Sequence, residues 1–347
     1  MKRLSEKRAN REEQRYRSTL RLLLLTSALM LLLAIAAGRF PIHPRDVVRI
    51  LVNRLVPLAP DWSAQAERIL FTLRIPRAIG AFFVGGALSL SGATYQGVFQ
   101  NPLVSPDLLG ISSGACVGAA GAILLGLNAW GVQICAFIAG IAAVLLTVLV
   151  PRLLKNSSMT MLVLSGIVVS GIMTSLLGLL KYVADPETEL AAITYWQLGS
   201  MTKVMTADLL RALPMILICA LALLILRWRL NLLTLGEAQA RMLGVNTSAL
   251  KAAVIACSTM LTACSVSLCG TVGWVGLVIP HLSRMLVGAD NTRSLPVAFL
   301  LGGLFLLVID TLARTLTGAE IPLSVLTGIV GAPFYYFVLS KQRMKLS

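Results

Sequence analysis

The sequence predicts an all-α integral membrane protein with about ten transmembrane helices arranged as two halves of inverted sense. Hydrophobic residues make up 57% of its 347 positions and charged residues only 13%, whereas about a quarter of the residues of a soluble domain are charged. The mean hydropathy is +0.83. The apolar residues form continuous runs that do not alternate with polar ones, which favours helices over a β-barrel.

The net charge of +15 reflects membrane topology. Basic residues cluster at the chain ends and between the apolar runs, where the positive-inside bias places them. We therefore expect a lipid bilayer and no nucleic acid as a partner. Every cysteine lies inside an apolar segment and none forms a CxxC pair, so we expect packing residues and not disulfides or metal ligands. The cysteines are Cys116, Cys135, Cys219, Cys257, Cys264 and Cys269.

The chain begins with a polar, basic segment, residues 1–18, which we expect to form a cytoplasmic tail. A cleaved signal peptide would have a shorter basic head and a small-residue cleavage site. The predicted transmembrane domain, residues 19–347, starts with the apolar run Leu20–Ala37, which is long enough to cross a bilayer. The polar segment 39–73 is then an external connection, with a short amphipathic helix around Val47–Val56.

Eight further apolar runs bring the number of clear spans to nine. They cover about residues 75–99, 108–127, 130–150, 159–182, 209–226, 250–268, 294–313 and 321–340. Both chain ends are basic, so both are expected in the cytoplasm and the span count must be even. The stretch 269–288 must therefore cross as a tenth, interrupted span, since Gly270, Gly273, Gly276 and Pro280 oppose a smooth helix.

Two repeats are predicted, about 74–182 and 250–340. Because an odd number of crossings separates their starts, the two repeats run in opposite senses through the membrane. Ser89–Gly110 and Ser267–Gly288 share seven identical residues at a constant offset of 178. Inverted repeats with matched glycine and proline breaks are a common transporter plan, in which the pathway lies at the repeat interface.

No motif in the sequence supplies an energy source or a catalytic centre. There is no GxxxxGK[ST] segment for binding a nucleotide, and no His/Cys/carboxylate cluster has metal-ligand spacing. Asp310 is the best candidate for an intramembrane carboxylate, whereas an ion-coupled carrier usually places several ionisable groups mid-span. We therefore expect a conduit driven by a partner; a secondary carrier, or less readily a membrane-bound enzyme, is the alternative from another class.

The segment 231–249 is the expected site of contact with that partner. It predicts a one- to two-turn amphipathic helix between Gly236 and Gly244, with Gly244 as its C-terminal stop. Such a helix could dock in a groove of a soluble protein or lie on the lipid surface. The pattern alone favours neither.

LGEAQARMLGV, within this segment, resembles the coupling segment of the FecCD family, the permease subunits of binding-protein-dependent ABC importers for ferric siderophores, haem and vitamin B12. The resemblance continues in RIPR, in SLSGATYQGVFQNPLVSPDLLG, in VGLVIPHLSR, in IDTLAR and in IPLSVLTGIVGAP. It covers nearly the whole chain from about residue 65, with the motifs in family order.

The resemblance implies three groups of functional residues. The residues expected to couple to the ATPase are Gly236, Glu237, Ala240, Leu243 and Gly244. The residues expected to face outward and pair with carboxylates of a binding protein are Arg74, Arg77 and Arg314. The residues expected at the cytoplasmic gate are Asn101, Leu103, Ser158 and Thr160. For the arginines, headgroup snorkelling is the alternative role.

The family further implies a type II importer permease in the inner membrane, working as a homodimer or heterodimer. Its expected partners are cytoplasmic ABC ATPase subunits, a periplasmic or lipid-anchored substrate-binding protein and a second permease subunit. No cofactor is expected on this chain, because ATP and Mg are used by the ATPase. A ferric siderophore is the first expectation for the substrate, with haem and cobalamin as alternatives.

Overall fold

The computed structural model of the chain describes residues 2–38, 40, 42–54, 56, 61–155 and 158–343. All regular structure in these ranges is helical, which confirms the predicted fold class. The α-helices, in chain order, are α1 Lys2–Ala36, α2 Pro44–Asn53, α3 Ala64–Ile69, α4 Ile75–Phe99, α5 Ile111–Leu124, α6 Ala129–Leu153, α7 Met159–Val183, α8 Glu189–Leu198, α9 Thr206–Thr234, α10 Glu237–Met242, α11 Thr247–Cys269, α12 Val275–Val287, α13 Asn291–Thr315 and α14 Leu323–Arg343.

Ten apolar helices in the described residues correspond to the ten predicted runs. Seven of them are long and apolar enough to cross a membrane, and three shorter ones complete the set. The shorter helices are Ile111–Leu124, Val275–Val287 and Leu323–Phe337. Val275–Val287 lies within the stretch that parity required to cross.

The predicted N-terminal tail is not separate from the first span, because α1 begins at Lys2 and continues to Ala36. Residues 1–18 contain neither glycine nor proline and are rich in good helix formers. The predicted amphipathic helix of the next segment is α2, which buries Val47 and Ile50. The basic C-terminal residue Lys345 lies outside the described residues.

The RIPR motif lies inside a long helix. A π-helical turn, Leu70–Arg74, joins α3 to α4, so that Ala64–Phe99 forms one continuous helix of 36 residues. Pro76 is placed in the first turn of α4, and because it lacks an amide N–H it favours a local rearrangement of the ladder over regular α-helical bonding.

The break in the second half lies between α11 and α12. Gly270 has φ +76° and Trp274 has φ +70°, and both precede the first residue of α12. In the first half the corresponding break, between α4 and α5, lies at 100–110. The offset of 178 is therefore wrong as a structural register, because it pairs Gly270 with Gly92, which lies inside α4.

The first helix of each half packs against helices of the other half. α4 packs on α13, its counterpart α11 packs on α6, and α4 and α11 also pack on each other. Halves related by an approximate two-fold axis produce this pattern. Glycines permit the closest approaches, since a Cβ on Gly85 would collide with the carbonyl oxygen of Gly302, and a Cβ on Gly92 with that of Gly276.

Candidate functional site

The predicted coupling helix is α10, and glycines bound it on both sides. Gly236 precedes it with φ +105°, and Gly244 follows it with φ +81°. The amide of Val245 donates to the carbonyl of Ala240 at 3.0 Å, and the amide of Gly244 donates to that of Arg241 at 3.0 Å. These two bonds form a Schellman motif, in which the left-handed position suits glycine. The predicted C-terminal stop at Gly244 is confirmed.

One face of α10 is buried and the opposite face is open. Ala240 is fully buried, whereas Met242 is 87% and Leu243 60% exposed. The small Ala240 side chain lets the helix lie close to its neighbours, α9 and α11. The outcome is a short helix that is fixed on one side and presents two large apolar side chains on the other.

A charge pair also fixes α10 to α11. The ammonium of Lys251 donates to the carboxylate of Glu237, and a guanidinium nitrogen of Arg241 lies 3.6 Å from that carboxylate. The hydrogen bond from Lys251 holds the pKa of Glu237 below its usual range. Glu237 is therefore ionised at neutral pH and engaged within this chain.

The predicted gate residues Asn101 and Leu103 are exposed in the turn after α4. The Asn101 side-chain oxygen accepts a hydrogen bond from the Leu103 amide at 2.9 Å, which gives the turn its shape. Just before it, Gln100 adopts φ +50°, and its side-chain amide donates to the carbonyl of Leu233 at 2.7 Å. Leu233 lies in the last turn of α9, so the gate turn is bonded to the helix that leads into α10.

The second predicted gate segment lies at the start of α7. The hydroxyl of Ser158 accepts a hydrogen bond from the Met161 amide at 3.2 Å and caps the helix, while Thr160 is exposed. Leu162, one turn further on, shares a buried cluster with Val104 of the gate turn. Residues next to the two predicted gate segments thus share one buried cluster, and the gating role of the segments stays a prediction.

Gln96 is a connecting residue that the sequence analysis missed. Pro280 cannot donate to the carbonyl of Gly276, four residues earlier, and the Gln96 side-chain amide lies 3.5 Å from that oxygen. Arg284 in turn donates to the side-chain oxygen of Gln96. Gln96 and Gln100 are one turn apart in a helix that is otherwise mostly apolar, and this spacing of two amides was the available signal.

The three predicted docking arginines lie at the other end of α4, where two of them cap α1. Arg74 is 5% exposed and Arg314 6% exposed. Arg74 donates to the carbonyls of Ile35 at 3.0 Å and Ala36 at 2.6 Å, and Arg314 donates to Ala37 at 2.9 Å. The last carbonyls of a helix have no partner within it, so these guanidinium groups satisfy the end of α1.

Arg77 is held between two carboxylates. Its Nη2 lies 2.9 Å from Asp310, which is completely buried, and its Nη1 lies 2.8 Å from Glu320. Thr202, in the loop before α9, donates its hydroxyl proton to Glu320. This network joins α4, α13 and two loops.

The geometry does not support the expectation that Arg74 and Arg314 present their charge to a partner, because both are buried and engaged with backbone oxygens. Arg77, 11% exposed at its side chain, is likewise engaged within the chain. Sequence motifs placed the three residues at one helix end but did not show the carbonyls they face. Lys203, next to Thr202, is an exposed cation at this end.

The coupling helix and the arginine network lie at opposite ends of the molecule. Arg77 is near the start of α4 and Gln100 follows its end, so about 23 residues and about 35 Å of helix separate them. The first turns of α1 lie at the coupling end, since Glu12 pairs with Arg293 at 2.9 Å and the neighbouring Asp290 accepts a hydrogen bond from Asn231 of α9 at 2.6 Å.

Comparison with known proteins agrees with this architecture. Residues 24–341 match the FecCD transport family. The chain is 38% identical to the molybdate import system permease protein MolB of Haemophilus influenzae, over 93% of this chain and 94% of that protein. It is 40% identical to a probable iron chelatin transport system permease protein of Helicobacter pylori, over 79% and 83% of the two chains.

A solved structure has the same fold over nearly the whole length. It shows an inward-facing conformation of a metal-chelate type ABC transporter, and it superposes with a TM-score of 0.83 at 37% identity, covering 93% of this chain and 98% of that one. Together with the ten apolar helices and the α10 segment, these matches settle the family. The chain belongs to the FecCD transport family and is a multi-pass membrane permease of an ABC importer.

Proposed function

We propose that this chain forms one half of a permease dimer that moves an iron chelate, with a ferric siderophore as the first candidate, across the inner membrane. The second half is the same or a homologous chain. Both termini and α10 lie in the cytoplasm, and the arginine network faces outward. The observation that carries the coupling part of the proposal is the hydrogen bond from Gln100 to Leu233, which connects the gate turn to the helix preceding α10; the iron chelate is supported by the similarity to the iron chelatin permease protein.

In this proposal α10 receives the movement of a cytoplasmic ABC ATPase, which alone uses ATP and Mg. Its exposed Met242 and Leu243 side chains suit an apolar groove on that partner. The buried Ala240 and the Glu237–Lys251 pair make α10 move together with α9 and α11. A displacement of the end of α9 then reaches Gln100 and the gate turn without a flexible segment between them.

The relatives favour two substrate classes. The iron chelatin relative supports the iron chelate proposed first. Molybdate is the second candidate, because the molybdate permease matches over 93% of this chain. Haem and cobalamin remain alternatives within the family. A periplasmic or lipid-anchored binding protein delivers the substrate to the outer face.

The decisive experiment is reconstitution in proteoliposomes with the ATPase and the binding protein, and measurement of the uptake of labelled ferric siderophore, molybdate, haem and cobalamin. ATP-dependent uptake of the siderophore alone supports the first proposal, whereas uptake of molybdate alone replaces it with the second. Uptake that needs only an ion gradient and continues without ATP would establish a secondary carrier instead.

Coupling is tested in the same vesicles by Glu237→Arg and Gly244→Trp. Both are expected to abolish uptake and ATPase association while membrane insertion persists. Gly126→Trp is a matched control for the second change, because Gly126 also has a positive φ, +66°, with open space around it, but lies between α5 and α6. Normal uptake in both coupling variants would contradict the proposed role of α10.

A further inference from the structure

A groove runs between α6 and α11, and some of its lining residues, such as Val144, also belong to the buried cluster that contains Val104 and Leu162. Its volume is about 700 Å³, within the range of about 300–1,000 Å³ that is typical of ligand sites. The groove is open between the helices because the side chains at Ala142, Ala252 and Ala256 are small. The exposed Leu145 and Leu149 form its rim. The shape suits a slender apolar ligand.

The floor of the groove offers no unsatisfied hydroxyl. Thr259 is the polar residue there, and its hydroxyl lies 3.1 Å from that of Tyr95 in a buried hydrogen bond. An acyl chain can therefore cover Thr259 without depriving it of a partner, whereas burial of an unpaired hydroxyl would be costly. The lining is otherwise apolar except at one end.

Arg152 lines that end of the groove. It is exposed and makes no ion pair with a carboxylate in the part of the chain that the structure describes. Lys155, three residues further on, is also exposed, and the groove lining contains no acidic side chain. The charge at this end complements an anion.

The length of the groove matches one leaflet of a bilayer. From Ile141 to Arg152, both in the lining, α6 rises about 16 Å, which is about half of the hydrocarbon core of about 30 Å. Arg152 lies in the last turn of α6, a helix long and apolar enough to cross a membrane, and a cation at such a helix end is expected among the polar headgroups. A phosphate at Arg152 would thus have its acyl chain directed along the groove.

We propose that this groove binds an anionic phospholipid, with one acyl chain between α6 and α11 and the phosphate held by Arg152. The site differs from ordinary lipid contact because a cation stands at the end of an apolar groove that is as long as one leaflet. The proposal concerns a bound lipid of the permease and does not depend on which substrate it carries.

Lipid retention measured by native mass spectrometry on the full-length chain tests the proposal. Phosphatidylglycerol and phosphatidylcholine are added in equal amounts to the detergent-purified protein. We expect several-fold more phosphatidylglycerol to be retained, and Arg152→Gln to remove this preference. Arg229→Gln is the matched control, because Arg229 is also an exposed arginine near the end of a spanning helix, and it should leave the preference unchanged.

Binding of the acyl chain is tested separately by Ala256→Phe, which fills the groove and is expected to reduce retention of both lipids. Ile218→Phe, at an exposed position on α9, is its control. Retention that survives both Arg152→Gln and Ala256→Phe would overturn the proposal. So would loss of retention in millimolar inorganic phosphate combined with indifference to Ala256→Phe, which would indicate an anion site without a lipid chain.

A third outcome separates lipid from protein as the occupant. With a photo-crosslinking amino acid at Leu145 in phosphatidylglycerol vesicles, the proposal predicts lipid adducts. Cross-linked dimers without lipid adducts would show that a second copy of this chain covers the groove, and the proposal would then be wrong.

Discussion

Asp310 supplies the counter-charge for two buried arginines at the end of the molecule opposite α10. It is completely buried, and both Arg77 and Arg314 lie within 4 Å of its carboxylate, at 2.9 and 3.8 Å. Two cations that are removed from water require a counter-charge, because an unpaired buried charge is strongly destabilising. The carboxylate that the sequence marked as the best intramembrane candidate is thus paired with two arginines.

Asp310→Asn is expected to lower the free energy of unfolding by about 3–5 kcal/mol, because it leaves two buried arginines with less compensation. SDS titration in mixed micelles measures the change. Asp61→Asn is the control, since Asp61 pairs with Arg49 at the surface with 58% of its side chain exposed, and its expected effect is below about 1 kcal/mol. Equal effects of the two changes would contradict the role of Asp310.

The contrast between buried and exposed cations makes a second prediction. Arg74→Gln should lower the unfolding free energy even without a partner, because the carbonyls at the end of α1 lose their donor.

Lys203→Glu should leave stability nearly unchanged and weaken binding-protein docking, more at low salt because exposed charges are screened. Unfolding curves and docking measured at two salt concentrations separate the two effects. Loss of docking in Arg74→Gln with normal stability would instead support direct pairing of Arg74 with a carboxylate of the binding protein.

The arginines show how far sequence reasoning reaches at this scale. The motifs RIPR and IDTLAR contain Arg74, Arg77 and Arg314, which lie at one end of the molecule: Arg77 and Arg314 flank Asp310, and Arg74 and Arg314 bond to the carbonyls at the end of α1. Their partners were out of reach, because a backbone carbonyl carries no sequence signal and those of α1 lie 39 positions from Arg74 and 280 from Arg314.

At the scale of single elements, α10 was predictable because its boundaries are local. Two glycines with positive φ enclose the six-residue helix and its C-cap, Leu243, and a glycine stop acts through its own backbone. Its attachment through Lys251 was less accessible, since that residue belongs to the next helix. The gate turn is similar: Asn101 marks a turn by itself, whereas the partner of Gln100 is on α9, 133 positions away.

A charge exchange between Glu237 and Lys251 distinguishes anchoring from partner contact. Glu237→Lys alone places like charges together and, like Glu237→Arg, is expected to abolish ATP-driven uptake. Adding Lys251→Glu should restore most of the uptake if the pair anchors α10. No recovery in the double variant would instead indicate that the Glu237 carboxylate itself contacts the ATPase.

The same pair has a defined pH dependence. The folded-state pKa of Glu237 is lowered, chiefly by its bond to Lys251, so its contribution is complete above the ordinary value of about 4.3 and is lost as pH falls through the folded pKa. ATPase association measured between pH 6 and 8 should therefore show no change attributable to this pair.

For the whole molecule, the packing of the two halves against each other depends on helix contacts that leave no room for a Cβ. Gly92→Ala, which would drive a methyl group into the carbonyl oxygen of Gly276, should cost about 1–3 kcal/mol of stability or force α4 and α12 apart. Gly97→Ala is the control on the same helix, because its nearest neighbour, the Asn291 side chain, would be 3.7 Å away. Comparable unfolding of the two variants would refute the importance of the α4–α12 contact.

The number and class of the helices followed from hydropathy and charge parity, since both are properties of the chain summed over long segments. The register of the two halves did not, because it depends on where each helix breaks. The breaks lie at Gln100–Gly110 and Gly270–Trp274, and residues of unlike type, such as Gln100 and Trp274, adopt the positive φ there.

The continuous helix Ala64–Phe99 has a mechanical consequence. Its 36 residues extend for about 54 Å, well beyond the hydrocarbon thickness of about 30 Å, so we expect it to project from the bilayer or cross it at a tilt, and to move as a lever. One arm carries Arg74 and Arg77 in the network with α1 and α13, and the other ends at Gln100. A tilt of about 10° about its midpoint moves each end by about 5 Å, given that length. Movement of the arm that carries Arg77 would therefore displace the gate turn, and the π-helical turn at Leu70–Arg74 interrupts the regular hydrogen bonding of this helix.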